Sequence, residues 1–264
     1  MSIPSPGSLT DPWDLFRLDG RVAIVTGASS GLGDRFARVL HRSGATVIAA
    51  ARRLDRLVAL AEECGERVEP VACDVTVEAD LERLVATALE VGGGRLDLLV
   101  NNAGIGGPVA AEEEPFEDFR RVVDVNLNAL FRLSQLAFEP LASDGGGVIV
   151  NVASMLGLVA SAPIKQAGYC ASKGAVVNLT RELGCQWARK GVRVNAIAPG
   201  WFPSELTSDM WNDEASMAFV ARNCPMARGG TDHELDGALL FLASDASSYV
   251  TGQTITVDGG WTAR

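Results

Sequence analysis

Short apolar runs alternate with amphipathic stretches along most of the chain. The runs at 21–26 (RVAIVT), 46–51 (TVIAAA), 67–73 (RVEPVAC), 96–101 (LDLLVN), 147–154 (GVIVNVAS), 192–199 (VRVNAIAP) and 254–259 (TITVDG) read as strands. Between them, 31–44, 54–64, 78–91, 116–141, 168–189 and 231–243 carry apolar residues at helical spacing. Most of the strand runs lack the polar alternation of a half-exposed sheet, as expected when helices cover both faces. Strand–helix alternation predicts right-handed crossovers and an α/β fold: a single domain built on a doubly wound parallel sheet. No linker divides it. The glycine runs at 92–94 and 145–147 read as loops.

The strand ends share a character. "TG" follows the first strand, "NNAG" the fourth, "AS" the fifth and "PG" the sixth. Ligands of open parallel sheets sit outside the carboxyl ends of the strands, where the strand order reverses, so a binding crevice is expected there. In "TGASSGLG" (26–33), Gly27 suits a tight turn, Gly31 a close approach of backbone to phosphate, and Gly33 close helix–strand packing. A pyrophosphate would rest on the following helix N-terminus. The end of the second strand carries Ala50, Ala51, Arg52 and Arg53 and no carboxylate. A guanidinium there clamps a phosphate with two bonds, which favours NADP(H) over NAD(H). The competing reading makes Arg52 and Arg53 an exposed helix start.

"GYCASK" (168–173) places one of two tyrosines, Tyr169, four residues before one of three lysines, Lys173. Positions i and i+4 share a helix face. A useful phenolate near neutrality needs a fall of about 2–3 units from the ordinary tyrosine value, roughly 3–4 kcal/mol. An ammonium about 4 Å away supplies energy of that order at the dielectric of a partly exposed site. The alternative is a half-buried pair whose amine reaches solvent. Ser154, at the end of the fifth strand, would hydrogen-bond the reacting oxygen. The stretch at about 200–225, with Trp201, Phe202, Met210, Trp211, Met217 and Phe219, reads as a lid over a substrate with an apolar portion.

Composition narrows the classes. Of 264 residues, 47% are hydrophobic and 21% charged, which is a globular balance. A net charge of -10 argues against nucleic acid or an anionic membrane surface as partner. Five cysteines without CxxC spacing read as reduced thiols. Two distant histidines, His41 and His233, make a metal site or a Ser-His-Asp triad a poor expectation. Residues 1–17 read as a leader and not a signal peptide, and no apolar run reaches membrane-spanning length. The expected location is cytoplasmic.

Eight motifs then fall in one order: "TGASSGLG", "CDV" (73–75), "NNAG" (101–104), "VNLNAL" (125–130), "VASMLG" (152–157), "YCASK" (169–173), "APG" (198–200) and "TGQTITVDGG" (251–260). With them the chain, from Leu18 to Gly260, resembles the short-chain dehydrogenase/reductase family, whose fold is Rossmann-like. The resemblance implies a catalytic set of Ser154, Tyr169, Lys173 and Asn126, the last holding a proton-relaying water. It implies cofactor contacts at Gly27, Ser29, Ser30, Gly31, Leu32, Gly33, Arg52, Arg53, Asp74, Val75, Asn101, Ala103, Gly104, Tyr169, Lys173, Pro199, Gly200 and Ser204. Ser30 stands where many NADP-preferring members have a basic residue. The Ser154–Tyr169 spacing is slightly long, with the extra residues in 159–168. The function implied is interconversion of a small-molecule ketone and a secondary alcohol by hydride transfer, in a homotetramer. Redox-neutral epimerisation or dehydration, and non-catalytic NADP(H) sensing, are the alternatives.

Overall fold

A computed structural model describes residues 11–143 and 145–264. Seven strands form one parallel sheet: β1 (Val22–Thr26), β2 (Thr46–Ala51), β3 (Val68–Ala72), β4 (Leu98–Asn101), β5 (Val148–Val152), β6 (Arg193–Pro199) and β7 (Thr254–Val257). Their spatial order is β3-β2-β1-β4-β5-β6-β7. The direction of winding reverses between β1 and β4, which lie side by side with Ala23 against Leu98 and Val25 against Val100. Chain order thus opens a crevice above those two strands.

Both faces of the sheet are buried, and strand geometry explains how a nearly uniform apolar run serves both. Successive side chains point to opposite faces. Ala23 and Val25 join Val47 and Ala49 under helices α1 (Gly31–Arg42), α2 (Leu54–Cys64) and α9 (Asp236–Ala243), through Phe36, Leu40, Leu57, Leu239 and Leu242. Val22 and Ile24 join Ile48 and Ala50 on the opposite face. There they meet α3 (Glu78–Val91), α5 (Ala129–Ala142) and α6 (Ala167–Trp187), through Leu81, Leu84, Leu133, Ala137 and Leu183. This is the doubly wound architecture expected from the pattern.

The expected helix over 116–141 is not continuous. It divides into α4 (Phe116–Val123) and α5, joined by one wide π-helical turn, Asp124–Asn128. The cause lies in Asn126, buried in that turn. Its Oδ1 accepts from the Ile105 N–H at 2.8 Å, and its Nδ2 donates to the Ile105 carbonyl at 2.9 Å and to Ser172 Oγ at 3.0 Å. Those bonds tie the helix to the loop after β4. Such single π turns recur at functional sites.

The expected leader lies mostly outside the described residues; Pro12–Phe16 form a short 3-10 turn. After β6 come α7 (Ser208–Trp211) and α8 (Glu214–Asn223). No described helix is long and apolar enough to cross a membrane.

Candidate active site

The glycine turn packs as its spacing requires. A Cβ on Gly33 would meet the Gly27 carbonyl oxygen at 2.2 Å and Asn102 Nδ2 at 2.5 Å, so any side chain there would push α1 off the sheet. Asn102 secures the contact from the β4 side. Its Nδ2 donates to the Thr26 carbonyl at 2.9 Å, and its backbone N–H and that of Ala103 both donate to Thr26 Oγ1. Ser30 occupies the N-cap of α1 but makes no side-chain cap bond. The first-turn N–H groups of α1 therefore lack a side-chain partner and stand where an anion would be held.

A crevice of about 700 Å³ runs from this turn to the first turns of α6. Every residue expected at the site lines it except Asn101 and Asn126. Asn101 points its side chain away from the crevice. As the last residue of β4 it alternates inward, where its Nδ2 donates to Ser134 Oγ and Asn151 Oδ1, both at 3.0 Å. Its neighbour Asn102 faces the crevice in its place. Asn126 sits behind the wall, its side chain engaged by Ile105 and Ser172. Through these bonds Asn126 joins α6 to the β4 loop.

Tyr169 and Lys173 lie on one face of α6, as their spacing requires, with Lys173 Nζ 5.8 Å from the tyrosine ring centroid. Nζ also donates to the Val152 carbonyl at the end of β5, at 2.7 Å. A Cβ on Gly106 would come within 2.5 Å of Tyr169 Cδ2, so glycine there lets the loop lie against the ring. Ser154 caps the 3-10 turn Met155–Gly157, its Oγ accepting from the Leu156 N–H at 3.1 Å. The electrostatics qualify the simple charge argument. Burial pushes the Lys173 ammonium down to about 8. Burial also pushes the Tyr169 phenol up, and the hydrogen bond with Ser154 pulls it back. In the protein alone, desolvation therefore outweighs the help expected of the lysine.

Of the aromatic and methionine residues expected in a lid, only Phe202 lines the crevice, beside Ser204, Glu205, Leu206 and Thr207. Trp201, Met210 and Phe219 pack instead around Met155, Leu156, Val220 and Trp261. Trp201 and Trp261 meet edge-on at 5.7 Å. The apolar substrate portion read from these side chains loses that support.

Two groups escaped the sequence reading. Asn102 belongs to a motif already quoted, and strand alternation would have separated it from Asn101. Glu205 follows Ser204 directly but reaches back to Ser30, Arg53 and Arg56, contacts between segments about 150 residues apart in sequence that no local pattern reveals.

Comparison with known proteins agrees with this architecture. A family model described as enoyl-(acyl carrier protein) reductase matches residues 27–262. Galactitol 2-dehydrogenase (L-tagatose-forming) of Cereibacter sphaeroides is 41% identical over 250 residues, covering 94% of this chain and 97% of that protein. Gluconate 5-dehydrogenase of Gluconobacter oxydans is 39% identical over 252 residues, covering 94% and 97%. Among solved structures, a short-chain type dehydrogenase/reductase from Mycobacterium marinum superposes with a TM-score of 0.91 at 36% identity, covering 96% of this chain and 100% of that one. A gluconate 5-dehydrogenase from Burkholderia cenocepacia, in complex with NADP and tartrate, gives 0.90 at 35%, covering 96% and 100%. The chain belongs to the short-chain dehydrogenase/reductase family. It is an oxidoreductase acting on CH–OH and C=O groups.

Proposed function

We propose that this protein interconverts a small secondary alcohol and its ketone, using NADP(H) in preference to NAD(H), with Tyr169 as general acid/base. The observation that carries the reading is the convergence of Ser154, Tyr169 and Lys173 on the crevice that begins at the glycine turn. The residues fit a dinucleotide. The α1 N-terminus and glycine turn would hold the pyrophosphate, Asp74 and Val75 the adenine, Arg52 and Arg53 a 2′-phosphate, and Pro199, Gly200 and Ser204 the nicotinamide end. Bound there, a nicotinamide accepts or gives the hydride and, when oxidised, brings a positive charge to the crevice.

In the oxidative direction Tyr169 takes the alcohol proton; in reduction it returns that proton to the developing alkoxide. Ser154 hydrogen-bonds the same oxygen, a contribution typically worth about 3–4 kcal/mol. Lys173, anchored to the Val152 carbonyl, holds positive charge beside the ring below its value of about 8. Asn126 positions α6 against the β4 loop. Three neighbouring structures carry NADP and one, a 7α-hydroxysteroid dehydrogenase, carries NADH, which supports a nicotinamide cofactor; the choice of the phosphorylated form rests on Arg52 and Arg53. The assembly we propose is a homotetramer, in keeping with the exposed Phe116 on α4 and Phe131 on α5.

The test is a panel of galactitol, gluconate, a 3-oxoacyl thioester and a cyclic ketone, each with both nicotinamides and followed at the nicotinamide absorbance band. Net absorbance change with at least one pair, faster with the phosphorylated cofactor, is expected. Dinucleotide binding with no redox change on any alcohol or ketone, or consistent preference for NAD(H), would count against the reading.

A further inference from the structure

Arg53, one of the two arginines assigned above to a 2′-phosphate, already holds an anion. Glu205, in the 3-10 turn Glu205–Thr207 after β6, lies across the glycine turn. Its Oε1 accepts from Arg53 Nη1 at 2.9 Å and Arg56 Nη1 at 2.5 Å. Its Oε2 accepts from Arg53 Nη2 at 2.8 Å and Ser30 Oγ at 2.9 Å. Arg53 is oriented for this by Ser29, whose Oγ accepts from Nε at 3.2 Å and Nη2 at 3.0 Å. Two guanidinium groups and a serine hydroxyl thus converge on one carboxylate in a bidentate arrangement, the donor set that suits a phosphate monoester.

We infer that Glu205 sets cofactor selectivity as an internal competitor: its carboxylate occupies the anion site formed by Ser30, Arg53 and Arg56, and a 2′-phosphate binds there only by displacing it. The inference rests on the NADP(H) reading and adds to it a repulsive element. One site cannot seat two anions of this size, and a carboxylate left beside the phosphate would repel it. Displacement is feasible because the pair is exposed: the Arg53 and Glu205 side chains retain 40% and 51% of their accessible surface. Ion pairs that wet are weak and yield to a more highly charged competitor. Proton uptake does not open the latch in the working range, since its hydrogen bonds to Arg53, Ser30 and Arg56 hold Glu205 down to about 2.

The experiment is calorimetric titration of the full chain with adenosine 2′,5′-bisphosphate and with adenosine 5′-monophosphate, probes that differ only in the 2′-phosphate. Wild type, Glu205→Gln, Glu205→Ala and Arg53→Gln are compared, with circular dichroism confirming the fold of each. Both Glu205 variants are expected to bind the bisphosphate about tenfold more tightly, with the monophosphate changed less than about twofold. Arg53→Gln should lose most of the preference for the bisphosphate. If wild type prefers the bisphosphate but neither Glu205 variant tightens it, the competitor role is wrong while the NADP(H) reading stands. If removing Glu205 weakens the monophosphate, the carboxylate serves the ribose hydroxyls and the inference is overturned. If no form of the protein distinguishes the two probes, the NADP(H) reading falls and the inference falls with it.

Discussion

Lys173 carries the least comfortable charge in the site. It is 4% exposed, its ammonium donates to the Val152 carbonyl, and burial lowers it from 10.5 to about 8. Because the folded value lies below the unfolded one, keeping this amine charged costs stability below about pH 8. The cost is relieved as pH rises toward 10.5, where the unfolded chain still binds a proton that the folded one has released. Urea unfolding of wild type and Lys173→Met at pH 7 and 9.5 should therefore show wild type gaining roughly 2 kcal/mol relative to the variant at the higher pH. A constant difference would mean that the amine is solvated. On the proposed mechanism, with Tyr169 as general base, kcat/KM for an alcohol should rise with pH, and Lys173→Met should move that rise to higher pH. The i, i+4 placement of this pair was legible from six letters of sequence. Its energetics were not, because desolvation depends on what β5 and the β4 loop pack around it.

Elements explain what positions the pair. Repeated strand ends in the sequence located the crevice before any single motif did, and the sheet order β3-β2-β1-β4 supplies the reversal that opens it. The π turn at 124–128 was invisible in the pattern, since Asn126 distorts its helix through bonds to Ile105 and Ser172, which lie in other segments. Asn126→Ala leaves the Ile105 N–H and carbonyl and the Ser172 hydroxyl without that partner. It should cost about 2–3 kcal/mol by denaturant unfolding, with cofactor affinity nearly kept and kcat lowered. A loss confined to cofactor affinity would contradict the positioning role. Two glycines separate packing from propensity. Gly33→Ala forces a methyl to within 2.2 Å of the Gly27 carbonyl and should destabilise by about 1–3 kcal/mol while weakening dinucleotide binding. Gly237→Ala, in α9 with nothing within 4 Å of the new Cβ, should be neutral or raise stability by about 0.5–1 kcal/mol. Equal effects would mean that the turn is not packed as described.

At the scale of the whole molecule, one continuous α/β unit carries the crevice, the Tyr169–Lys173 pair and the segment after β6 together. The proposed homotetramer is checked by size exclusion with light scattering, where four subunits are expected and the exposed Phe116 and Phe131 would be covered; a monomer at micromolar concentration would overturn that assembly. The chemical account is tested most directly by comparing wild type and Tyr169→Phe with a deuterated secondary alcohol and oxidised NADP, in a single turnover. Phenylalanine keeps the ring against Gly106 and removes only the hydroxyl. The account predicts deuterium transfer to the nicotinamide in wild type and a rate lower by about 10²–10⁴-fold in the variant, with cofactor affinity unchanged. Transfer at the wild-type rate without the hydroxyl would contradict it.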